Sequence, residues 1–135
     1  MPQVTLPITL VNKILTHAQH SPETEVCGLI AACDGVPDKV YPIANVADVP
    51  EKLFAMEPAA QIEAMRLMRE GGEELFAIYH SHPHAPAQPS VRDLQEAAYP
   101  QALYLIVSLD TKGVLEMQGF RLHDGQVDKV DLEVV

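Results

Sequence analysis

Two unbroken apolar segments constrain this fold more than any other feature of the sequence. They are VCGLIAAC at residues 26–33 and ALYLIVSL at residues 102–109. Short apolar runs bounded by turn residues are typical of strands buried on both faces, whereas a strand with one wet face alternates polar and apolar residues. The sequence therefore predicts a sheet that is covered by helices on both sides.

The remaining segments alternate between helical and strand patterns around these two strands. Val11, Ile14, Leu15 and Ala18 share one face of a helix over residues 7–19, and Ile62, Met65 and Met68 predict the core face of a second helix. That second helix opens at Pro58 and stops at Gly71 and Gly72, and a third is expected over SVRDLQEAAY, residues 90–99. Further strands are predicted at residues 39–44, 75–82, 113–122 and 126–134, the last two joined by a turn at residues 123–125. The expected class is α/β.

Composition limits the classes of partner. The chain has 135 residues, of which 47% are hydrophobic, and we expect a single domain over residues 1–135. A net charge of −10 argues against nucleic acid, and no window approaches the roughly 18 apolar residues of a membrane span. Cys27 and Cys33 lie on one predicted strand, too far apart for a disulfide, so both are expected to be reduced core thiols in a cytoplasmic protein.

Three histidines crowd into residues 80–84, where a predicted strand enters a proline-rich loop. Side chains alternate along a strand, so His80 and His82 project to the same side, at a spacing suited to one metal ion. Asp93, at the start of the next helix, can complete the set if the loop folds back. Two imidazoles and one carboxylate are typical ligands of a catalytic zinc ion, which keeps a fourth position open for water.

Amide hydrolysis at such a site also needs groups that handle protons and charge. Zinc lowers the pKa of a coordinated water toward about 7, and a nearby base carries the proton to the leaving amine. Glu25, directly before the first apolar strand, is the candidate base. Ser90 is a candidate hydrogen-bond donor to the developing oxyanion.

These residues resemble one known family. The string His80-Ser81-His82-Pro83, followed by Ser90 and Asp93, with Glu25 two positions before Cys27-Gly28, is similar to the signature of the JAMM, or MPN-plus, zinc metallopeptidases. The resemblance extends along nearly the whole chain, to small prokaryotic members in particular.

The resemblance implies a fold, an activity and a set of roles. The fold would be an α/β/α sandwich around a mixed, curved sheet, as in cytidine-deaminase-like proteins. The activity would be hydrolysis of a peptide or isopeptide bond at the C-terminal tail of a ubiquitin-like or sulfur-carrier protein, with one zinc ion per chain. In that family's terms, His80, His82 and Asp93 would bind the metal, Glu25 would activate water, and Ser90 would stabilise the oxyanion.

Several other interpretations stay open. Ser90 and Asp93 also form a capping box, which is a purely structural device. A structural zinc site would need a fourth protein ligand, such as His84 or a cysteine. The chain could also be a metal-free MPN-type binding module, or a zinc hydrolase of a small amide. The oligomeric state and the identity of the substrate protein are not predicted.

Overall fold

The computed structural model describes residues 3–112 and 114–135, and within them the chain forms seven strands and three helices. In chain order these are β1 (Gln3–Leu6), α1 (Ile8–His20), β2 (Cys27–Cys33), β3 (Val36–Ile43), α2 (Pro58–Glu70), β4 (Glu74–His82), α3 (Val91–Glu96), β5 (Leu103–Ser108), β6 (Glu116–His123) and β7 (Gln126–Val134). Most predicted bounds agree to within a few residues.

All seven strands belong to one mixed sheet, in the order β1-β7-β6-β5-β4-β2-β3. The pairs β1·β7 and β4·β5 are parallel, and the other neighbours are antiparallel. Irregularities in the pairing of β2, near Ala31, bend the sheet at this end. The strands β4 and β5 lie at the centre, which places the histidine-bearing strand between two buried neighbours.

Helices cover both faces of the sheet. On one face, α1 contributes Leu10, Val11, Ile14 and Ala18 to a core with Tyr79 and Leu105 among its members. On the other face, α2 contributes Ala64 and Met68 to a second core with Ile78, Tyr104 and Ile106. The predicted α/β sandwich around a mixed sheet is confirmed. The wider prediction of one domain over residues 1–135 stays a prediction.

Tight turns join two pairs of antiparallel strands. Asp34 and Gly35 link β2 to β3, and Asp124 and Gly125 link β6 to β7. All four residues have positive φ, between 50° and 79°. This is the backbone of type I′ hairpin turns, which favour the Asp-Gly pair because glycine adopts positive φ without strain. The turn predicted at residues 123–125 is confirmed.

Strand β1 was not predicted. It forms because Gln3–Leu6 pairs in parallel with the far end of the chain, Val4 facing Leu132 in the register. Only Leu6 of the four residues is buried, so no local pattern marks it as a strand.

Three sequence predictions about α2, α3 and Cys33 are wrong. Ile62 is 69% exposed, because the buried stripe of α2 runs through Ala64 and Met68 instead. The third helix ends at Glu96, and the chain then turns extended, with the backbone N–H of Tyr99 donating to the Tyr104 hydroxyl at 3.1 Å. Cys33 is exposed because it is the last residue before a hairpin turn, whereas Cys27 is buried as expected. The start predicted for β6 at residue 113 lies outside the described residues.

None of the helices in the described ranges is both long and apolar enough to cross a membrane.

Candidate metal centre

Strand β4 presents two histidines to the same face of the sheet. His80 and His82 are 1% and 4% exposed, because β2 and β5 flank the strand and the following loop covers its end. The backbone at the end of β4 is also hydrogen-bonded, since the Leu109 N–H, just after β5, donates to the His82 carbonyl at 3.0 Å. Both imidazoles are therefore mounted on rigid backbone.

The proline-rich segment, residues 83–89, folds back over the sheet and returns α3 to the histidines. Two side chains tie this segment down: the Ser108 hydroxyl donates to the Ala85 carbonyl at 2.7 Å, and His82 Nδ1 lies 2.8 Å from the Pro86 carbonyl oxygen. At its end, Ser90 caps α3. The return of the chain that the metal-site prediction requires is thus present.

The capping box and the cluster with the histidines coexist. Ser90 Oγ accepts from the Asp93 N–H at 3.0 Å, and Asp93 Oδ2 accepts from the Ser90 N–H at 2.9 Å. The same Oδ2 atom lies 3.1 Å from Nε2 of both His80 and His82. The cap therefore fixes the carboxylate of Asp93 in the direction of the imidazoles.

Three atoms able to bind a metal form a nearly equilateral triangle. The two Nε2 atoms of His80 and His82 are 3.1 Å apart, equal to their distances from Asp93 Oδ2. A tetrahedral zinc ion with bonds of about 2.0–2.1 Å requires separations of about 3.3 Å between its ligand atoms. The triangle has the size that zinc requires.

With His82 neutral, hydrogen bonds do not satisfy this triangle. The Pro86 carbonyl can only accept, so His82 Nδ1 carries the proton, and Nε2 of neutral His82 presents a lone pair to the Asp93 carboxylate. A second proton on His82 Nε2, or a cation, fills the gap between the two acceptors. A cation bound to all three atoms removes the conflict, and the hydrogen bond from His82 to a backbone carbonyl is the usual support of a metal-binding imidazole.

The charge states also suit a cation. Burial lowers the pKa of His80, which keeps its imidazole neutral at pH 7. Burial would raise the pKa of Asp93, but hydrogen bonds with His80 and His82 outweigh it and hold that pKa well below its usual value. Burial would lower the pKa of His82, but the hydrogen bond to Asp93 outweighs it and raises that pKa, so a metal ion would displace a proton from His82. Neutral imidazoles and an ionised carboxylate are the forms that bind metal.

Glu25 reaches the same cluster from the start of β2. One of its carboxylate oxygens and one ring nitrogen from each of His80 and His82 all lie within 4.8 Å of one another. Together with Asp93, these side chains come from three segments of the chain: the start of β2, the end of β4 and the first turn of α3. Asp93 Oδ2, 3.1 Å from both Nε2 atoms, forms the third corner of the triangle, and the Glu25 carboxylate lies beside it.

The Glu25 carboxylate is buried without a full set of partners. Its Oε1 atom is buried and makes no hydrogen bond, and the same is true of His80 Nδ1. Burial raises the pKa of Glu25 to about 7. A carboxyl group that is half protonated near neutral pH is suited to take and return a proton. The residue as a whole is only 5% exposed.

Neither His84 nor Cys27 supplies the triangle with a fourth protein ligand. His84 is 65% exposed at its side chain and points to Glu23, with Nε2 and Oε2 3.6 Å apart. The Cys27 thiol donates to the Ile43 carbonyl at 3.4 Å, and burial raises its pKa to about 12. Neither of the donors on which the structural-zinc alternative depends is turned to the triangle.

Two residues that contact the candidate site were missed by sequence reasoning because they lie in a segment without hydrophobic periodicity. Residues 45–56, the loop between β3 and α2, carry Phe54, whose ring stacks on His80 with centroids 4.4 Å apart. The same loop begins at Asn45, whose amide donates to the Glu25 carbonyl at 2.9 Å. A polar Asn directly after a strand is too common a turn signal to have indicated this.

Comparison with known proteins agrees with this geometry. The family described as prokaryotic homologs of the JAB domain matches residues 7–122 of the chain. The chain belongs to this family. This JAB-family protein is also similar to two named proteins from other organisms.

The first relative is the CysO-cysteine peptidase of Mycobacterium tuberculosis, 31% identical over 128 residues that cover 93% of this chain and 87% of that protein. The second is a probable TtuB-protein conjugate cleaving protease of Thermus thermophilus, 35% identical over 121 residues that cover 90% of this chain and 77% of that protein. Both are named as enzymes that cut peptide or conjugate bonds, which agrees with the hydrolase predicted from the sequence.

Solved structures show the same fold. A solution structure of a Desulfitobacterium hafniense protein superposes with a TM-score of 0.85 at 32% identity, covering 97% of this chain and 92% of that one. A JAB1/MPN domain protein of Archaeoglobus fulgidus superposes with a TM-score of 0.62 at 19% identity, covering 98% of each chain, and shows the fold alone. The resemblance to the JAMM/MPN family is confirmed.

Proposed function

We propose that this JAB-family protein is a zinc-dependent peptidase that hydrolyses an amide bond at the C-terminal tail of a ubiquitin-like or sulfur-carrier protein. The observation that carries the proposal is the 3.1 Å triangle of His80 Nε2, His82 Nε2 and Asp93 Oδ2 with the buried carboxylate of Glu25 beside it. These groups supply the parts that metal-assisted amide hydrolysis needs.

In this proposal His80, His82 and Asp93 would hold one zinc ion per chain. Bound there, zinc supplies Lewis acidity, which makes a water molecule more acidic and polarises a carbonyl oxygen. The three protein ligands supply two neutral groups and one negative charge, so the site keeps a net positive charge for an electron-rich substrate group.

Glu25 handles the proton. Burial raises the pKa of Glu25 to about 7 in the metal-free protein, and a cation beside it would favour the ionised form. The carboxylate takes a proton from the attacking water and returns it to the nitrogen of the leaving amine. The unpartnered Oε1 atom is the accepting atom, since no hydrogen bond within the protein competes for it.

Ser90 stabilises the developing negative charge on the carbonyl oxygen. Its Oγ already accepts a hydrogen bond from the Asp93 N–H, so the hydroxyl proton is free to be donated. Ser90 is exposed at the first turn of α3, where an incoming substrate can reach it.

The substrate class is supported by the relatives. One is named for a conjugate of CysO with cysteine and another for conjugates of the protein TtuB. We propose that this chain likewise acts on an extended tail. The tail would reach the site by forming main-chain hydrogen bonds with the protein, as extended peptides do at the edge of a sheet. A cytoplasmic location, predicted from the cysteines, belongs to the same proposal.

The experiment that tests the proposal compares Glu25→Gln with Glu23→Gln. The probe is a sulfur-carrier protein ending in Gly-Gly whose C-terminal carboxyl is joined to the amine of cysteine, with release of cysteine measured by mass spectrometry. We expect Glu25→Gln to retain about one zinc ion yet to lose about 10²–10⁴-fold in kcat. Glu23 is exposed, and Glu23→Gln is the same chemical substitution, so this variant should have wild-type activity.

Two results would contradict the proposal. Full activity in Glu25→Gln would remove Glu25 from the mechanism. A wild-type protein that binds zinc but releases no cysteine, and also leaves a lysine-linked conjugate of the same carrier intact, would remove this substrate class and leave a small amide as the substrate.

A further inference from the structure

The loop of residues 45–56 is closed at its base and lies against the candidate site. Asn45 and Met56 form an isolated antiparallel bridge, and the Val46 N–H donates to the Ala55 carbonyl at 2.8 Å. Next to this closure, Phe54 stacks on His80. The loop is therefore a compact unit whose position bears directly on one of the proposed metal ligands.

The side chain of Asn45 uses its whole hydrogen-bonding capacity. Its Oδ1 accepts from the N–H groups of Ala47 and Ala55, both at 3.0 Å. Its Nδ2 donates to the carbonyls of Leu53 and Glu25, both at 2.9 Å. Three of these bonds stay within the loop, and the fourth leaves it and ends on the residue proposed as the base.

Glu25 depends on this loop for its position. Its N–H donates to the Pro50 carbonyl at 2.7 Å and its carbonyl accepts from Asn45, so both of its main-chain polar groups are held by residues 45–56. Its carboxylate, in contrast, has an oxygen without any hydrogen bond. The direction of the side chain is thus set through its backbone.

We propose that Asn45 is a positioning residue for the hydrolysis: its amide ties the backbone of Glu25 to the loop that carries Phe54, and so fixes the carboxylate of Glu25 relative to His80 and His82. This inference rests on the proposed function. It places Asn45 outside contact with substrate and metal, so its loss should slow turnover while leaving substrate binding and zinc content intact.

The test uses Asn45→Asp, which is nearly the same size. The aspartate keeps an oxygen for the N–H groups of Ala47 and Ala55 but places a second oxygen against the carbonyls of Leu53 and Glu25. We expect kcat on the carrier–cysteine conjugate to fall about 10- to 100-fold, because small displacements of a reacting group have effects of that size. KM and zinc stoichiometry should stay at wild-type values. Asn12→Asp, the same change at an exposed position of α1, is the matched control.

A double-mutant cycle shows whether Asn45 acts through Glu25. In the Glu25→Gln background, Asn45→Asp should lower the residual rate less than about two-fold, because the group it positions has already lost its function. An equal loss in both backgrounds, or a loss of zinc, would overturn the inference in favour of a general structural role. If Asn45→Asp does not yield folded protein, Asn45→Ser, which adds no charge, goes through the same cycle with the same expectation.

The cycle also separates the two proposals. Wild-type activity in Glu25→Gln contradicts the proposed function itself. A strongly impaired Glu25→Gln together with an Asn45→Asp variant as active as Asn12→Asp contradicts only the role of Asn45.

Discussion

Strand β4 carries polar side chains on both faces of the sheet, and the two faces treat them differently. On the face of α1, the Tyr79 hydroxyl lies 2.7 Å from His17 Nδ1, and the Ser81 hydroxyl accepts from the Val26 N–H at 2.9 Å. Each of these groups has a partner, which is what buried polar groups require for stability.

On the opposite face, His80 and His82 meet Asp93 in a cluster that neutral imidazoles do not satisfy by hydrogen bonds, and atoms of Glu25 and His80 lack partners. Along this strand, residues whose side chains have partners therefore alternate with residues that form the candidate site. The difference teaches that burial and polarity do not identify a site by themselves, whereas unsatisfied groups that converge on one point do.

The largest expected effect breaks the face that carries the cluster. Asp93→Ala removes one corner of the triangle, so zinc stoichiometry should fall from about one per chain to nearly none and carrier cleavage should become undetectable. Elemental analysis of purified protein measures the first and mass spectrometry the second. Asp38→Ala, at an exposed position of β3, is the control, and a zinc-loaded, active Asp93→Ala would exclude Asp93 as a ligand.

Ser90→Ala tests the donor next to the cluster. Loss of an oxyanion donor costs about 10²–10³-fold in kcat, and loss of the helix cap about 1 kcal/mol of stability. Ser90→Thr retains a hydroxyl and should recover most of the rate, measured as kcat alongside Tm. A variant that loses stability but keeps kcat would leave Ser90 with the cap alone.

The buried carboxylate gives a pH-dependent effect on stability. In chelator-treated protein, the folded pKa of Glu25 is about 7 against an ordinary value of 4.5, so the folded state binds the proton more tightly. Both states are protonated below pH 4.5, and the wild type then loses stability as the pH rises toward 7. Glu25→Gln should therefore be more stable than wild type by between about 1 and 2 kcal/mol above pH 7.

Urea unfolding of the two metal-free proteins at several pH values measures this difference. A constant difference across the range from pH 4.5 to 7 would show that the pKa of Glu25 is not raised.

Tyr79→Phe sharpens the comparison from the other face. It leaves His17 without its partner, so the free energy of unfolding should fall by about 1 kcal/mol while zinc content and kcat stay unchanged. Denaturant unfolding and elemental analysis on the same preparation decide this. A lower zinc content would mean that the two faces are coupled through β4.

His84→Ala has the smallest expected effect. His84 is an exposed side chain paired only with exposed Glu23, and such pairs contribute little. Zinc affinity, measured by competition with a chelator, should change less than about two-fold. A large loss of affinity would indicate a closed, structural zinc site with His84 as a ligand.

Much of the fold was predictable because its signals are local. Within the run from residue 102 to 109, strand β5 spans Leu103–Ser108 with every residue buried, and the Asp-Gly pair at Asp124 makes the expected hairpin. Predictions failed where a contact with another element decided the outcome. Beyond the end of the third helix at Glu96, the Tyr99 N–H donates to Tyr104 of β5, and β1 pairs with a strand at the other end of the chain.

The candidate site divides in the same way. The types and spacing of His80, His82, Ser90 and Asp93 are legible in the sequence, because strand alternation and helix capping are set by backbone geometry over a few residues. Their roles as ligands and donor stay predictions until the metal and activity are measured.

By itself the sequence determined the α/β class, the shared face of the two histidines and the cap that orients Asp93. Only the tertiary structure decided that Glu25, 55 positions before His80, is buried beside the cluster, and that Asn45 ties its backbone to the loop bearing Phe54. The physical reason is range. Backbone geometry acts between near neighbours in the chain, whereas the burial and hydrogen bonds of Glu25 depend on how distant strands and loops pack together.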